Sequence, residues 1–220
     1  MDKIELKITE DGSHTLYLEN LDETYHSKHG AIQEAMHVFI DAGLKYFKQS
    51  KLNILEVGFG TGLNAFLTLQ ESNDSTINYT SLEAFPLKKE IVNQLNYKSE
   101  LKLNAVGIEQ FEKLHHVEWG SYQEISAKFN LNKVKVELAH YQTSEKFDII
   151  YFDAFGPRVQ PEMWEKSIFE KMQSLLSDGG ILVTYCAKGS VKRTLKELGF
   201  EVEPLPGPPG KREMTRARKL

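Results

Sequence analysis

The glycine-rich turn at residues 58–62 constrains the fold of this 220-residue chain more than any other segment. The apolar run Leu52 to Val57 before it has the length of a central parallel strand, and helical spacing begins at Leu63. Glycine occupies every second position of the turn: Gly58, Gly60 and Gly62. Glycine lets backbone approach a ligand closely, because it has no Cβ and adopts positive φ. The segment therefore predicts a βα unit whose turn holds a nucleotide-like cofactor.

The spacing of these glycines narrows the class of cofactor. A dinucleotide fingerprint has the form G-x-G-x-x-G, whereas this turn reads G-x-G-x-G with Glu56 two residues before it. That variant resembles the first motif of S-adenosylmethionine-dependent methyltransferases, whose cofactor has no pyrophosphate. We expect Glu56 near the charged amino-acid end or the sulfonium of the cofactor. An ordinary glycine-rich βα turn is the alternative, although three alternate glycines exceed what a turn requires.

Composition predicts one soluble domain and an uneven charge distribution. A single cysteine, Cys186, excludes a disulfide framework and a cysteine-rich zinc site. No secretion signal or membrane-length apolar run is evident, so we expect a cytoplasmic protein with no membrane contact and no metal. The net charge is −4, yet from Cys186 onward nine Lys and Arg face four Glu. Such a basic end indicates either contact with nucleic-acid phosphates or a solvated tail.

Strand and helix patterns alternate along the chain and predict a doubly wound α/β sheet. Residues 1–50 are expected to form a hairpin (3–18) and a helix (Ala31 to Phe47) that extend a domain over 51–220. Further strands are predicted at Tyr79 to Ala84, Val134 to Ala139, Phe147 to Phe152 and Ile181 to Tyr185. Further helices are predicted from Pro86, over Met163 to Leu176 and over Val191 to Leu198. Phe200 to Leu205 and Glu213 to Arg218 are predicted to close the mostly parallel sheet as an antiparallel hairpin.

Two acidic residues follow predicted strands and therefore converge on the glycine turn. Ligands of doubly wound sheets bind outside the carboxyl ends of the strands, at the point where strand order reverses. Glu83 ends the second strand and can accept hydrogen bonds from ribose hydroxyls; a solvated strand-end carboxylate is the alternative. Asp153 ends the fourth strand and is the candidate catalytic residue. If the acceptor is an amine, a carboxylate there orients it and takes up its proton.

Other residues near these motifs have less specific patterns. Phe155 lies in the loop after Asp153 and is a candidate for stacking on a base, whereas Trp164 is expected to pack in the core. Cys186 is interpreted as a buried strand residue rather than a nucleophile. The pair His115 and His116 is interpreted as surface rather than a metal site. Two pairs of basic residues suit an anionic ligand. Lys192 and Arg193 lie at the start of a predicted helix, and Lys211 and Arg212 lie in a turn near the C-terminus.

Together these motifs resemble the MnmC-type tRNA methyltransferase domain, the methylating half of a bifunctional tRNA-modifying protein. The loop Gly58 to Asn64 is closely similar to the cofactor loop of that family. Three later stretches also resemble it: Phe152 to Pro157 with Pro161 and Met163-Trp164, Val191 to Arg193 through Gly199-Phe200, and Lys211 to Met214. Tyr25 and the run Gly30 to Phe39, which includes Glu34, resemble the segment that precedes the fold.

The resemblance implies a Rossmann-like fold, S-adenosylmethionine as donor and the tRNA anticodon region as partner. The acceptor it implies is the aminomethyl group of a modified wobble uridine. The implied cofactor contacts are Glu56, Gly58, Phe59, Gly60, Thr61, Gly62, Asn64, Glu83 and Asp153. Asp153 would lie at the reacting amine. The implied substrate contacts are Phe155, Lys192, Arg193, Lys211 and Arg212.

The chain departs from the family pattern in two ways. The third strand of the family ends in a Gly-Asp pair near the adenine, and here Tyr141-Gln142 stands at the matching place, so we expect the Gln142 amide to contact the adenine. The oxidase half is absent from this sequence, so a separate enzyme or another route is expected to supply the aminomethyl group. Rival hypotheses are a methyltransferase acting on a small-molecule or protein amine and a noncatalytic module with a vestigial loop.

Overall fold

The computed structural model describes residues 4–72 and 74–220, so residue 3 of the predicted hairpin lies outside the described residues. The strands are β1 (Ile4–Ile8), β2 (His14–Leu18), β3 (Glu23–Thr24), β4 (Lys51–Val57), β5 (Thr76–Leu82), β6 (Gln123–Ser126), β7 (Phe129–Val134), β8 (Phe147–Phe152), β9 (Leu176–Thr184), β10 (Phe200–Pro206) and β11 (Glu213–Lys219). The α-helices are α1 (Ala31–Ala35), α2 (Leu63–Glu71), α3 (Lys89–Val92), α4 (Tyr97–Glu100), α5 (Ala105–His116), α6 (Lys166–Leu175) and α7 (Gly189–Glu197).

An eight-stranded sheet in the order β10-β11-β9-β8-β4-β5-β7-β6 forms the centre of the fold. The five strands from β9 to β7 pair in parallel, and antiparallel partners flank them at both edges. The predicted doubly wound, mostly parallel sheet with a C-terminal antiparallel hairpin is confirmed. The chain runs outward from β4 in one direction through β5 and β7, and in the other through β8 and β9. The order therefore reverses between β4 and β8, where α/β sheets bind ligands.

Hydrophobic side chains cover both faces of this sheet. On one face, α2 and α5 join the N-terminal segment, and Leu16 and Phe39 pack in the same cluster as Ile54 and Phe66. On the other face, α6 and α7 pack against Leu55 and its neighbours. The N-terminal residues, including the separate sheet β1-β2-β3, thus share a core with the strands that carry the glycine turn. None of the helices in the described part of the chain is long and apolar enough to cross a membrane.

The third parallel strand lies earlier than predicted, at Phe129–Val134 instead of Val134 to Ala139. Phe129, Leu131 and Lys133 alternate as buried residues along it. The Lys133 ammonium lies over the rings of Phe59 and Trp119, 5.5 and 5.0 Å from their centroids. A lysine in a core position hides the alternation on which the strand prediction relied, because its charge marks it as polar.

Helix boundaries also differ from the predicted ones. The helix expected over 31–47 divides into α1, a π-helical segment at Met36–Asp41 and a short 3-10 helix at Leu44–Tyr46. The helix expected from Pro86 begins at Lys89 and has only four residues. The helix expected from Met163 begins at Lys166, because a 3-10 turn at Pro161–Trp164 precedes it. These differences lie outside the strand ends that form the site.

Candidate active site

The turn after β4 has the backbone conformation that its glycines permit. Gly58, Gly60 and Gly62 have φ of +94°, +49° and +72°. A Cβ on Gly62 would lie 2.8 Å from Cε1 of His115, so both conformation and space require glycine there. The Gly58 amide donates to the carbonyl of Leu82 at 2.9 Å, which fixes the turn to the end of β5. The three positions therefore contribute backbone alone, and the side chains of Tyr25 and His115 pack against Gly60 and Gly62.

Glu83 faces this turn from the end of β5. Its Oε2 accepts a hydrogen bond from the Gly60 amide at 2.9 Å, and its Oε1 accepts from the Phe85 amide at 2.8 Å. Both contacts aim the carboxylate along the carboxyl edge of the sheet, where it is half-buried. A carboxylate so placed can accept hydrogen bonds from a vicinal diol. Phe85 next to it is 76% exposed and presents an aromatic face at the same edge.

Asp153 follows β8 and lies across the strand reversal from the glycine turn. Its Oδ2 accepts a hydrogen bond from Nδ2 of Asn64, in the first turn of α2, at 2.9 Å. Burial raises the pKa of Asp153 to about 7, and the negative charge of Glu34 adds to the rise; the Asn64 hydrogen bond and the Lys211 charge oppose it. A carboxylate with a pKa near 7 is suited to take up a proton at neutral pH.

Glu56 lies deeper than Asp153 and has no solvent exposure. Its Oε2 accepts a hydrogen bond from the Ser81 hydroxyl at 2.5 Å, and burial raises its pKa well above the usual value. Glu56 Oε1 and Asn64 Oδ1 are both buried without a hydrogen-bond partner in the described residues. Burial therefore favours the neutral form of the Glu56 carboxyl, and that form can donate a hydrogen bond.

A cavity of about 530 Å³ opens between the end of β9 and the start of β11; we call it the acceptor cleft. Its lining residues come from these two strand ends: Tyr185, Cys186, Ala187, Lys211, Arg212 and Glu213. The Tyr185 hydroxyl donates to the carbonyl of Ala154 at 2.9 Å, so the cleft borders the loop that carries Asp153. Its volume is within the range of small-ligand sites.

Aromatic residues bracket the loop after Asp153. Phe155 is half-buried, and its ring meets Tyr25 edge-on at 5.3 Å between centroids. Tyr25 in turn lies against Gly60, where a Cβ would be 3.2 Å from its ring. Trp164 packs on Phe152 in the core and donates its indole N–H to the Phe155 carbonyl at 2.8 Å, so the interpretation of Trp164 as a core residue is confirmed.

Most basic residues near the C-terminus are ion-paired. Lys192 contacts Glu213 at 2.6 Å, and Lys211 contacts Glu34 at 2.6 Å. The cations of β11 pair in the same way with Glu203, Glu201 and Asp178: Arg216, Arg218 and Lys219. Arg193 and Arg212 are exposed and make no ion pair among residues 4–72 and 74–220. Within the described residues, these two arginines are the unpaired cations among the four basic side chains predicted to contact the substrate.

Two sequence interpretations need correction. Gln142 was placed at the end of the third strand, but that strand ends at Val134, and Gln142 is an exposed residue beyond a helical turn at Leu138–His140. The first acidic residue after the strand is Glu137. The His115 and His116 pair is at the surface only in part: His116 is exposed, whereas His115 is half-buried, and burial followed by the charge of Lys133 lowers its pKa to about 3. Cys186 is buried as expected.

Sequence reasoning assigned no role at the site to three residues that border it. Tyr25, Glu34 and Tyr185 lie against the glycine turn, Lys211 and the Asp153 loop, respectively. Glu34 is only 7% exposed, although it belongs to the short helix α1 far from the sheet edge in sequence. The signal available in the sequence was an acidic residue inside an apolar helical run. In the part of the chain that the structure describes, no His, Cys, Asp and Glu group could hold a metal.

The fold and the glycine turn define a Rossmann-like methyltransferase, and a family model agrees. The model described as S-adenosyl-L-methionine-dependent methyltransferase matches residues 93–220, and the chain belongs to this family. S-adenosylmethionine is therefore its cofactor, as predicted. The site fits this cofactor, because the turn offers backbone without Cβ atoms and Glu83 offers a diol acceptor beside it.

Relatives with curated names are longer than this chain. The protein from Leptospira interrogans serogroup Icterohaemorrhagiae serovar copenhageni named tRNA 5-methylaminomethyl-2-thiouridine biosynthesis bifunctional protein MnmC is 32% identical over 210 residues, which cover 89% of this chain and 32% of that protein. The protein of the same name from Pseudoalteromonas atlantica is 32% identical over 217 residues, which cover 89% of this chain and 31% of that protein. The chain thus spans about a third of the length of these relatives. The resemblance to their methyltransferase part is confirmed.

Solved structures share the same fold. MnmC2 from Aquifex aeolicus superposes with a TM-score of 0.79 and 26% identity, covering 99% of this chain and 70% of that one. Spermidine synthase from Thermotoga maritima gives 0.63 with 13% identity, covering 100% and 69%. The second likeness extends to the fold alone.

Replacing Gly62 by alanine should lower both stability and affinity for S-adenosylmethionine. The alanine must adopt φ near +72° and must also displace His115, whereas Gly179→Ala pays only for φ of +76° in open space. We expect about 1–3 kcal/mol from positive φ in both variants, and a further loss with at least tenfold weaker cofactor binding only at Gly62. Urea unfolding and calorimetry measure these effects. Equal losses in the two variants would contradict the crowding by His115.

Replacing Asp153 by asparagine should stabilise the fold in a pH-dependent manner. The folded pKa of about 7 exceeds the usual 3.8 of the carboxyl, so Asp153 stabilises the fold below pH 3.8 and loses this contribution as pH rises to about 7. The asparagine variant should therefore gain on wild type by about 1–2 kcal/mol between pH 5.5 and pH 8. Urea unfolding at the two pH values tests this, with exposed Asp178→Asn as control. A gain that is independent of pH would contradict the raised pKa.

Proposed function

We propose that this protein transfers a methyl group from S-adenosylmethionine to the aminomethyl group of a modified wobble uridine in tRNA, converting 5-aminomethyl-2-thiouridine to 5-methylaminomethyl-2-thiouridine. The observation that carries the proposal is Asp153, whose pKa burial raises to about 7. Its carboxylate accepts a hydrogen bond from Asn64 of the helix that follows the glycine turn, and its neighbour Ala154 accepts one from Tyr185 of the acceptor cleft. The names of the curated relatives support tRNA as the substrate class. A separate enzyme would supply the aminomethyl precursor.

The residues of the turn and of the neighbouring strand would hold the cofactor. Glu83 would accept hydrogen bonds from the ribose hydroxyls, since its carboxylate already faces the turn at Gly60. The remaining contacts would come from the turn and the first residues of α2: Gly58, Phe59, Gly60, Thr61, Gly62 and Asn64. Glu56 would act from beneath the turn, where burial favours its neutral form. Phe85 would offer its exposed ring to the adenine.

Asp153 would perform the acid–base step. S-adenosylmethionine, when bound, would supply a methyl carbon on a sulfonium; an amine nitrogen with a free lone pair can attack that carbon and displace the thioether sulfur. The substrate amine arrives largely as an ammonium ion, so it must lose a proton before it attacks. Asp153 would accept this proton, and Asn64 would hold the carboxylate in place through the 2.9 Å hydrogen bond. The N–C bond would form as the C–S bond breaks, which leaves a methylammonium product and a neutral thioether, and Asp153 would then release its proton to solvent.

The edge of the acceptor cleft would contact RNA. Arg212 lines the cleft and Arg193 is exposed on α7, and both are free to pair with phosphates. Lys192 is held by Glu213, so it contributes less to phosphate binding than its charge suggests. Phe155 would stack on a base where its ring reaches the cleft side of the loop.

Purified protein incubated with S-adenosylmethionine and tRNA carrying 5-aminomethyl-2-thiouridine should yield 5-methylaminomethyl-2-thiouridine. Asp153→Asn should lower kcat by about 10²–10⁴-fold, because the amine is no longer deprotonated on the protein, while the Kd for the cofactor changes little. Nucleoside mass spectrometry before and after incubation measures the product. Cofactor binding without any methylated tRNA nucleoside, together with methylation of a small-molecule or protein amine, would contradict the tRNA proposal.

Charge reversal at Arg193 and Arg212 should weaken tRNA binding without affecting the cofactor. Each lost phosphate contact should reduce the slope of log Kobs against log salt by about 0.7–0.9. Lys196→Glu, one turn further along α7 from the sheet edge, is the matched control and should have a smaller effect. Filter binding at several salt concentrations gives the slopes. Unchanged slopes at Arg193 and Arg212 would place the RNA on another surface.

A further inference from the structure

The ion pair between Lys211 and Glu34 lies at the acceptor cleft. Lys211 lines the acceptor cleft, and its ammonium is 2.6 Å from Oε1 of Glu34. The same ammonium lies 3.8 Å from the centroid of the Tyr185 ring. A carboxylate and an aromatic face are the two groups with which proteins bind organic ammonium ions. The protein's own lysine therefore occupies an arrangement suited to an alkylammonium ligand.

The two groups that hold this ammonium are fixed independently of it. Glu34 is 7% exposed, and its Oε2 accepts a hydrogen bond from the Ser27 amide at 2.7 Å. Tyr185 is fixed by the 2.9 Å hydrogen bond of its hydroxyl to the Ala154 carbonyl. Lys211 reaches the pair from the turn that joins β10 to β11, on an aliphatic chain with several rotatable bonds. If Lys211 leaves, the carboxylate and the ring remain in place.

This arrangement is next to the catalytic carboxylate. The Tyr185 hydroxyl donates a hydrogen bond to the carbonyl of Ala154, the residue that follows Asp153. The charges of Glu34 and Lys211 both act on the pKa of Asp153, in opposite directions. An ammonium group held at Glu34 would thus lie within reach of the base that must deprotonate it.

We propose that the Glu34 carboxylate and the Tyr185 ring form a cation subsite that binds the ammonium form of the acceptor, and that Lys211 fills this subsite until the acceptor displaces it. The identity of the acceptor rests on the proposed function, whereas the subsite itself requires only an alkylammonium group. Displacement exchanges one ion pair for two: the substrate ammonium pairs with Glu34, and Lys211 becomes free for a phosphate of the RNA. Glu34 holds the ammonium ion, and Asp153 then takes its proton.

The test uses benzylammonium chloride as a probe, with benzyl alcohol as the uncharged control. Removing the resident cation should expose the subsite, so Lys211→Ala should bind benzylammonium at least about tenfold more tightly than wild type. The double variant Lys211→Ala with Glu34→Gln should lose this gain. Lys219→Ala removes a paired lysine at the other end of β11 and is the matched control, with unchanged binding. Ligand-detected NMR titration gives the Kd values, and cofactor affinity checks that each variant is folded.

The outcomes separate the subsite from the proposed function. Equal benzylammonium affinity in wild type and Lys211→Ala, or an unchanged gain in the double variant, would overturn the subsite even if tRNA is methylated. A gain at Lys211→Ala that depends on Glu34 supports the subsite even if tRNA is not the acceptor, because the probe assay contains no RNA. If Glu34→Gln fails to fold, Tyr185→Leu in the Lys211→Ala background replaces it, and full retention of the gain there would also overturn the proposal.

Discussion

The hydrogen bond between Asn64 and Asp153 joins the two halves of the site, and the geometry of both depends on it. Asn64 belongs to the helix that the glycine turn begins, and Asp153 belongs to the strand on the other side of the reversal. Burial of the Asp153 carboxylate is unfavourable, and one amide donor offsets only part of this cost, which leaves the pKa near 7. The same unfavourable burial gives the residue its capacity to accept a proton at neutral pH.

The N-terminal segment supports both sides of this bond. The ring of His26, whose pKa burial lowers to about 4, lies 3.5 Å from the Thr61 hydroxyl within the glycine turn. Tyr97 donates to the same hydroxyl at 3.3 Å. On the acceptor side, Tyr25 meets Phe155 and Glu34 meets Lys211. Residues before the first strand of the large sheet are thus part of the site wall, and they share its hydrophobic core.

The sequence predicted the residues at the strand ends better than the residues that border the site from other segments, because only the first group follows a recognisable strand pattern. Gly58 to Gly62, Glu83 and Asp153 are each adjacent to a strand with a strong apolar pattern, and parallel strands bring their carboxyl ends to one edge. Glu34 and Tyr185 have no such local marker, since their role arises from contacts across 177 and 31 residues. The position predicted for Gln142 is wrong because Lys133 is buried, with its ammonium over two aromatic rings. A charged residue in the core hides the alternating pattern of the third parallel strand.

The net charge of the C-terminal segment is a second property that the sequence alone describes incompletely. The last 35 residues carry an excess of five positive charges, which indicates a basic surface. In the folded chain, Arg216 and Arg218 face Glu203 and Glu201 across the hairpin, and Lys192 and Lys211 find partners in Glu213 and Glu34. The attraction for a polyanion then depends on which cations remain free at the carboxyl edge. Among the described residues, Arg193 and Arg212 remain unpaired there. Under the exchange proposed above, Lys211 would join them only when a substrate ammonium takes its place at Glu34.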